Sequence, residues 1–144
     1  MSDDKDDQSP PTIGYWRVGV NQDGVSHQER REITAFEHEG MGGAAPQWNA
    51  KLPVQPIHAM FSVLPVGWTG DWHENPKPQW IVPLAGRWFV ETMDGHRVEM
   101  GTGDVSFGGD QNCKADAEGH KGHRSGVLGD EPVVLMIVQM EQSS

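Results

Sequence analysis

The residues with chemistry to offer are concentrated between Gly67 and Gly86, in GWTGDWHENPKPQWIVPLAG. His73 and Asn75 are two positions apart, so in an extended segment their side chains leave the same face. Pro76 and Pro78 mark a turn, after which Gln79 opens a second extended segment, expected to run back beside the first. One imidazole and two side-chain amides then converge at one end of a strand pair. Imidazole nitrogen and neutral amide oxygen suit a borderline divalent ion such as Zn, Fe, Ni, Cu or Mn. A glutamate at position 79 would cancel part of such an ion's charge; a glutamine oxygen is a neutral, weaker donor.

The spacing is Gly67, five residues, His73, one residue, Asn75, three residues, Gln79, six residues, Gly86. It resembles the first sequence motif of the cupin family, Gly-x5-His-x-His-x3-4-Glu-x6-Gly, with Asn75 for the second histidine and Gln79 for the glutamate. The second cupin motif, Gly-x5-Pro-x-Gly-x2-His-x3-Asn, opens at Gly103 and then departs. Gly109 stands for the proline, Gln111 for the second glycine and Lys114 for the histidine. A lengthened loop follows and ends Lys121-Gly122-His123, similar to a group of small cupins with a His-x5-Gln first motif and a Gly-Lys-Gly-His loop end. On that resemblance His123 is the counterpart of the second-motif histidine, expected to join the site from across the barrel. The resemblance spans Gly67 to Val138, about half the chain.

The resemblance implies an all-β cupin-type double-stranded β-helix, a jelly-roll barrel, with a metal held by His73, Gln79 and His123 and a substrate contact from Asn75. Two imidazoles and an amide leave a bound divalent ion with its full formal charge, which favours an anionic ligand such as a carboxylate, phenolate or enolate. The implied function is a cupin metalloprotein acting on a small, anionic organic molecule. Oxygenase, isomerase and lyase chemistry all stay open, because no residue reads as a general base. The alternative, from a different class, is a non-catalytic module that binds a small molecule or a metal.

Other reactive side chains have plainer readings. His120 lies three residues before His123 in a glycine-flanked loop, where that spacing does not bring two rings together as it would on a helix. Lys114 reads as a solvated loop charge. Cys113 has no electropositive or histidine partner in sequence to activate it as a nucleophile. His27 and His38 read as surface residues, and His58 and His96 as strand residues without partners.

The chain around these residues is built for strands. It has 144 residues, enough for one domain, with 18 glycines and 10 prolines punctuating short apolar runs. Tyr15 to Val20, Ile57 to Trp68, Gln79 to Leu84, Arg87 to Thr92, His96 to Met100, Asp104 to Phe107, His123 to Val127 and Val133 to Met140 read as strands, Ile57 to Trp68 as a central one. Val25 to Phe36 fits an edge strand or a short helix. Asp94-Gly95 fits a type I′ hairpin turn with both residues at positive φ. Residues 1–11 read as a disordered acidic tail and 12–144 as a single barrel domain.

Trp72 and Trp80 adjoin His73 and Gln79, so alternation turns them to the outer face, where large aromatics are usually covered by a partner. A homodimer is therefore expected. The formal charge of −10 argues against nucleic acid, since phosphates would be repelled. No apolar run has membrane-spanning length, the N-terminus lacks a signal-peptide core, and one cysteine precludes an internal disulfide. A cytoplasmic, membrane-free setting is the expectation.

Overall fold

The computed structural model describes residues 9–141. The described residues contain twelve β-strands and no helix. The strands are β1 (Ile13–Val20), β2 (Ser26–Ile33), β3 (Glu37–Glu39), β4 (Gln47–Asn49), β5 (Ile57–Leu64), β6 (Thr69–His73), β7 (Gln79–Ala85), β8 (Arg87–Thr92), β9 (Arg97–Gly101), β10 (Ser106–Gly108), β11 (His123–Leu128) and β12 (Val133–Met140). Residues 1–8, most of the expected tail, lie outside the described residues, and Ser9 to Pro11 are exposed and irregular.

Two sheets carry the fold. One has six strands in the order β2-β1-β10-β7-β12-β5; the other has four in the order β6-β11-β8-β9; β3 and β4 form a separate hairpin. All pairings are antiparallel except β1 with β10. Alternation along the strands supplies the core. Val18, Ile81, Val133 and Leu135 from the larger sheet pack with Trp88, Val90, Val98 and Met100 from the smaller one. This is an all-β jelly-roll architecture of two facing sheets, the fold class that the sequence resemblance implies.

Both motif glycines have a backbone reason. Gly67 and Gly86 adopt φ of 83° and 80°, where a side chain is strained. At Gly86 a Cβ would also strike the Pro132 carbonyl.

Of the two options for Val25 to Phe36 the edge strand is the one formed, as β2, whose buried Ser26 and Gln28 alternate with more exposed neighbours. Three local expectations change. β5 is an edge strand, not a central one, and Ile57, Phe61 and Val63 stand exposed on its outer face. At the Asp94-Gly95 turn only Gly95 has positive φ, so the turn is not type I′; the Asp94 carboxylate instead accepts from the Thr92 hydroxyl and the His96 N–H. The Pro76–Pro78 turn does not fold β7 back beside β6. It carries the chain from the four-stranded sheet to the six-stranded one, because two prolines remove donors that an adjacent hairpin would use.

Candidate functional site

The crossover between β6 and β7 determines how the site is assembled. β11 pairs directly with β6, and His73 and His123 are partners in that register. Their ring centroids lie 4.8 Å apart with planes tilted by 49°. His123 therefore arrives from the neighbouring strand, and Gln79, opening β7, comes from the opposite sheet. This reverses the expected arrangement.

Each imidazole is anchored through Nδ1. His73 Nδ1 is 2.7 Å from the Asp71 carbonyl oxygen, which can only accept, so Nδ1 carries the proton. His123 Nδ1 is 2.7 Å from Oδ2 of Asp110, a carboxylate with no exposed surface. Burial alone would push the Asp110 carboxyl up. The hydrogen bond from His123, its charge, and the bonds from the Asn75 backbone and side chain together hold it below the usual carboxylate range. An ionised Asp110 accepts from His123, so in both rings these partners assign the proton to Nδ1 and the free lone pair to Nε2.

Asp110 also orders the amides. Its Oδ1 accepts from the Asn75 backbone N–H and from Asn75 Nδ2, both at 2.9 Å. With its NH₂ committed there, Asn75 presents Oδ1 to Gln79, whose Nε2 donates at 2.7 Å. Gln79 in turn presents Oε1, which accepts from Gln139 Nε2 at 2.8 Å. One acceptor-only group thus fixes the direction of three amides. Gln79 Oε1 retains a second lone pair, and Asn75 retains one N–H.

His73, Asn75, Gln79 and His123 all line one cavity of about 160 Å³ between the sheets. His73 is exposed at its edge, whereas His123 is 6% exposed. Among the described residues the two histidines are the only titratable side chains on the cavity wall.

Two members of this network have no place in the motif pattern. Gln139 had a signal, since it is the one polar residue in the otherwise apolar β12, VVLMIVQM, and pairs with Gln79. Asp110 had only its isolation after Gly108-Gly109. The site also needs Gly108, where a Cβ would strike the Asn75 amide.

The remaining candidates lie elsewhere. His120 stacks on Trp72 with centroids 4.8 Å apart, on the face of β6 opposite His73. Its ring, with Asp116 and Glu118, makes a group of donor atoms within 4.8 Å of one another on the exposed loop. Asp116 is occupied as a loop brace there, accepting from the backbone N–H groups of Glu118 and His120. Lys114 is exposed, and its backbone N–H donates to the Gly24 carbonyl. Cys113 is buried; its Sγ meets the Asp110 carbonyl, its N–H meets Glu74, and burial pushes the thiol up. Trp80 lies on the outer face between Tyr15 and Phe107, each with ring centroids 4.9 Å away. Its own chain therefore covers part of it.

No family model matches the sequence, and no curated protein matches it. Among solved structures it is similar to a cupin domain of Schizosaccharomyces pombe Cnp3, at 13% identity and TM-score 0.43 over 97% of this chain and 89% of that one. It is similar to a cupin superfamily protein of Desulfitobacterium hafniense at 12% identity and TM-score 0.42, covering 76% of this chain and all (100%) of the other. It is also similar to the DMSP lyase DddQ of Ruegeria pomeroyi, at 18% identity and TM-score 0.45, covering 71% of this chain and 46% of that one. The two facing sheets, with both motif glycines and His73 at the spacing of the cupin pattern, keep the likeness at the level of the fold.

Proposed function

We propose that this protein is a metal-dependent enzyme that acts on a small anionic organic molecule in its barrel cavity. The observation that carries the proposal is the pairing of His73 and His123. Adjacent rings each have Nδ1 anchored and an Nε2 lone pair left over. An imidazole ligand whose other nitrogen donates to a carboxylate or carbonyl is the usual outer arrangement of a protein metal centre. The donor set fits a divalent Zn, Fe, Ni, Cu or Mn ion, with His73 and His123 as nitrogen ligands and Gln79 Oε1 as the oxygen ligand. Bound there, the ion would supply Lewis acidity toward an anionic ligand. Asp110 holds His123 in its tautomer, and the free N–H of Asn75 orients the ligand.

The wall chemistry narrows the reaction. With both histidines on the ion, no described side chain on the cavity wall remains to take a proton. Ion-centred chemistry, such as that of an oxygenase or a decarboxylating lyase, fits this wall better than proton abstraction by a side chain. Assembly as a homodimer and action in the cytoplasm belong to the same proposal.

The test is metal content after purification without chelator, then after loading with Zn, Ni, Mn or Fe, followed by turnover of a panel of carboxylates and phenols. His73→Ala or His123→Ala should each remove most of the metal, and His120→Ala should remove little. A parent protein that never takes up metal would eliminate the enzyme reading and leave the non-catalytic binding module.

A further inference from the structure

We propose that the cavity takes a two-ended ligand, an anion at the histidines and a hydrogen-bonding oxygen deeper inside, received by the Ser125 hydroxyl beside the Trp88 indole. The anionic end rests on the function proposed above; the deep end stands on its own observations.

Ser125 follows His123 by two residues on β11, so both face the interior, and the intervening Arg124 is exposed. Ser125 lines the same cavity and is 4% exposed. Two residues along a strand place it about 6.7 Å beyond His123. Trp88, 3% exposed, also lines the cavity, and its indole N–H is buried without an acceptor among the described residues. Ser125 pairs with Val90, two residues from Trp88 on β8, so the two are diagonal neighbours on one face. Buried donors are nearly always satisfied, and an unsatisfied indole N–H beside a serine hydroxyl on a cavity wall calls for an acceptor from the ligand.

The rest of the cavity sets size and class. Leu64, Ile81, Leu135 and Ile137 supply an apolar waist. A volume of about 160 Å³ is close to that of an apolar cavity known to hold benzene. A divalent ion beside ionised Asp110 leaves one net positive charge, which matches a monoanion. The ligand class is thus a small monocarboxylate with an apolar body and a hydroxyl or carbonyl oxygen at its far end.

Benzoate and 4-hydroxybenzoate are suitable probes because they differ only in that oxygen. Titration calorimetry on zinc-treated parent, Ser125→Ala and Trp88→Phe proteins should show the parent preferring 4-hydroxybenzoate about tenfold, the value of one well-placed hydrogen bond. Ser125→Ala should bring the preference to about twofold or less while leaving benzoate affinity unchanged, and Trp88→Phe should reduce it too. 4-Hydroxybenzoate should also shift the Trp88 indole N–H resonance of the parent. A tenfold preference that survives Ser125→Ala, or a parent that binds neither acid, would overturn the proposal. Zinc measured in the same samples separates the two proposals. Zinc bound without a preference removes the deep subsite, whereas a preference without zinc removes the metal centre and keeps the subsite.

Discussion

Replacing Asp110 by asparagine changes one atom at a fully buried position, and the hydrogen bonds around that atom determine its effect. The two Asn75 donors both need the oxygen at 2.9 Å, so the new amide must keep its Oδ1 toward Asn75. Its NH₂ then faces His123 Nδ1, which sits 2.7 Å from Oδ2 in the parent. A donor cannot face a donor, so His123 moves its proton to Nε2 and loses the lone pair that would hold the ion. Loss of such an outer partner costs about 10–100-fold in metal affinity, or roughly 1.4–2.7 kcal/mol. Folding stability should fall by about 1–2 kcal/mol, as a charge-assisted bond is lost while the burial penalty of the anion is relieved. Competition with a chromogenic zinc chelator reads the affinity, and long-range ¹H–¹⁵N spectra of the imidazoles read the tautomer. An Asp110→Asn protein that binds zinc within twofold of the parent and keeps His123 protonated at Nδ1 would rule out this role for Asp110. The acid limb carries the same sign. The Asp110 carboxyl is depressed in the folded state, so its contribution is complete above the unfolded carboxyl value of about 3.9 and is lost as pH falls through the folded value. The stability gap between parent and variant should close in that window.

Gln79→Glu should tighten metal binding, because a carboxylate adds the charge neutralisation an amide lacks, and should weaken any anionic ligand for the same reason; zinc and benzoate titrations should therefore move in opposite directions. Gly108→Ala should drive the Asn75 amide out of its place and destabilise the fold by about 1–3 kcal/mol in a denaturant titration. If two copies associate through the exposed apolar side of β5, size-exclusion chromatography should give about twice the 15.9 kDa chain mass. Phe61→Lys should then give the monomer, since Phe61 is 69% exposed in the single chain and a lysine there would bury an unpaired charge in the interface.

Much of the site is legible in the Gly67–Gly86 spacing, because strand periodicity and turn chemistry act locally. His73, Asn75 and Gln79 line one cavity with His123, although Gln79 reaches it from the opposite sheet and not along a returning strand. The partners of the strands are another matter. A turn containing Pro76 and Pro78 looks the same in sequence whether it closes a hairpin or crosses between sheets, and it crosses. β5 is apolar on both faces, the pattern of a buried central strand, yet the order of pairing puts it at an edge. Asp110 stayed hidden because its importance lies in contacts 13 and 35 positions away, which no local pattern encodes. Gln139 was readable as a polar residue in an apolar strand, and Ser125 as sharing the parity of His123.

The side-chain network from Gln139 to His123 also has a mechanical consequence. Gln139 and Gln79 belong to the six-stranded sheet, His123 to the four-stranded one, and Asn75 and Asp110 to the connections between. The network works as a stitch across the mouth of the sandwich. The sheets cannot part at that end without breaking it, so the cavity mouth should not breathe independently of the fold. Side-chain amide protons of Asn75 and Gln79 should then exchange with solvent only as fast as the deepest strands do. An arriving ion would meet imidazoles already set in place, and the protein should gain little rigidity from taking it up.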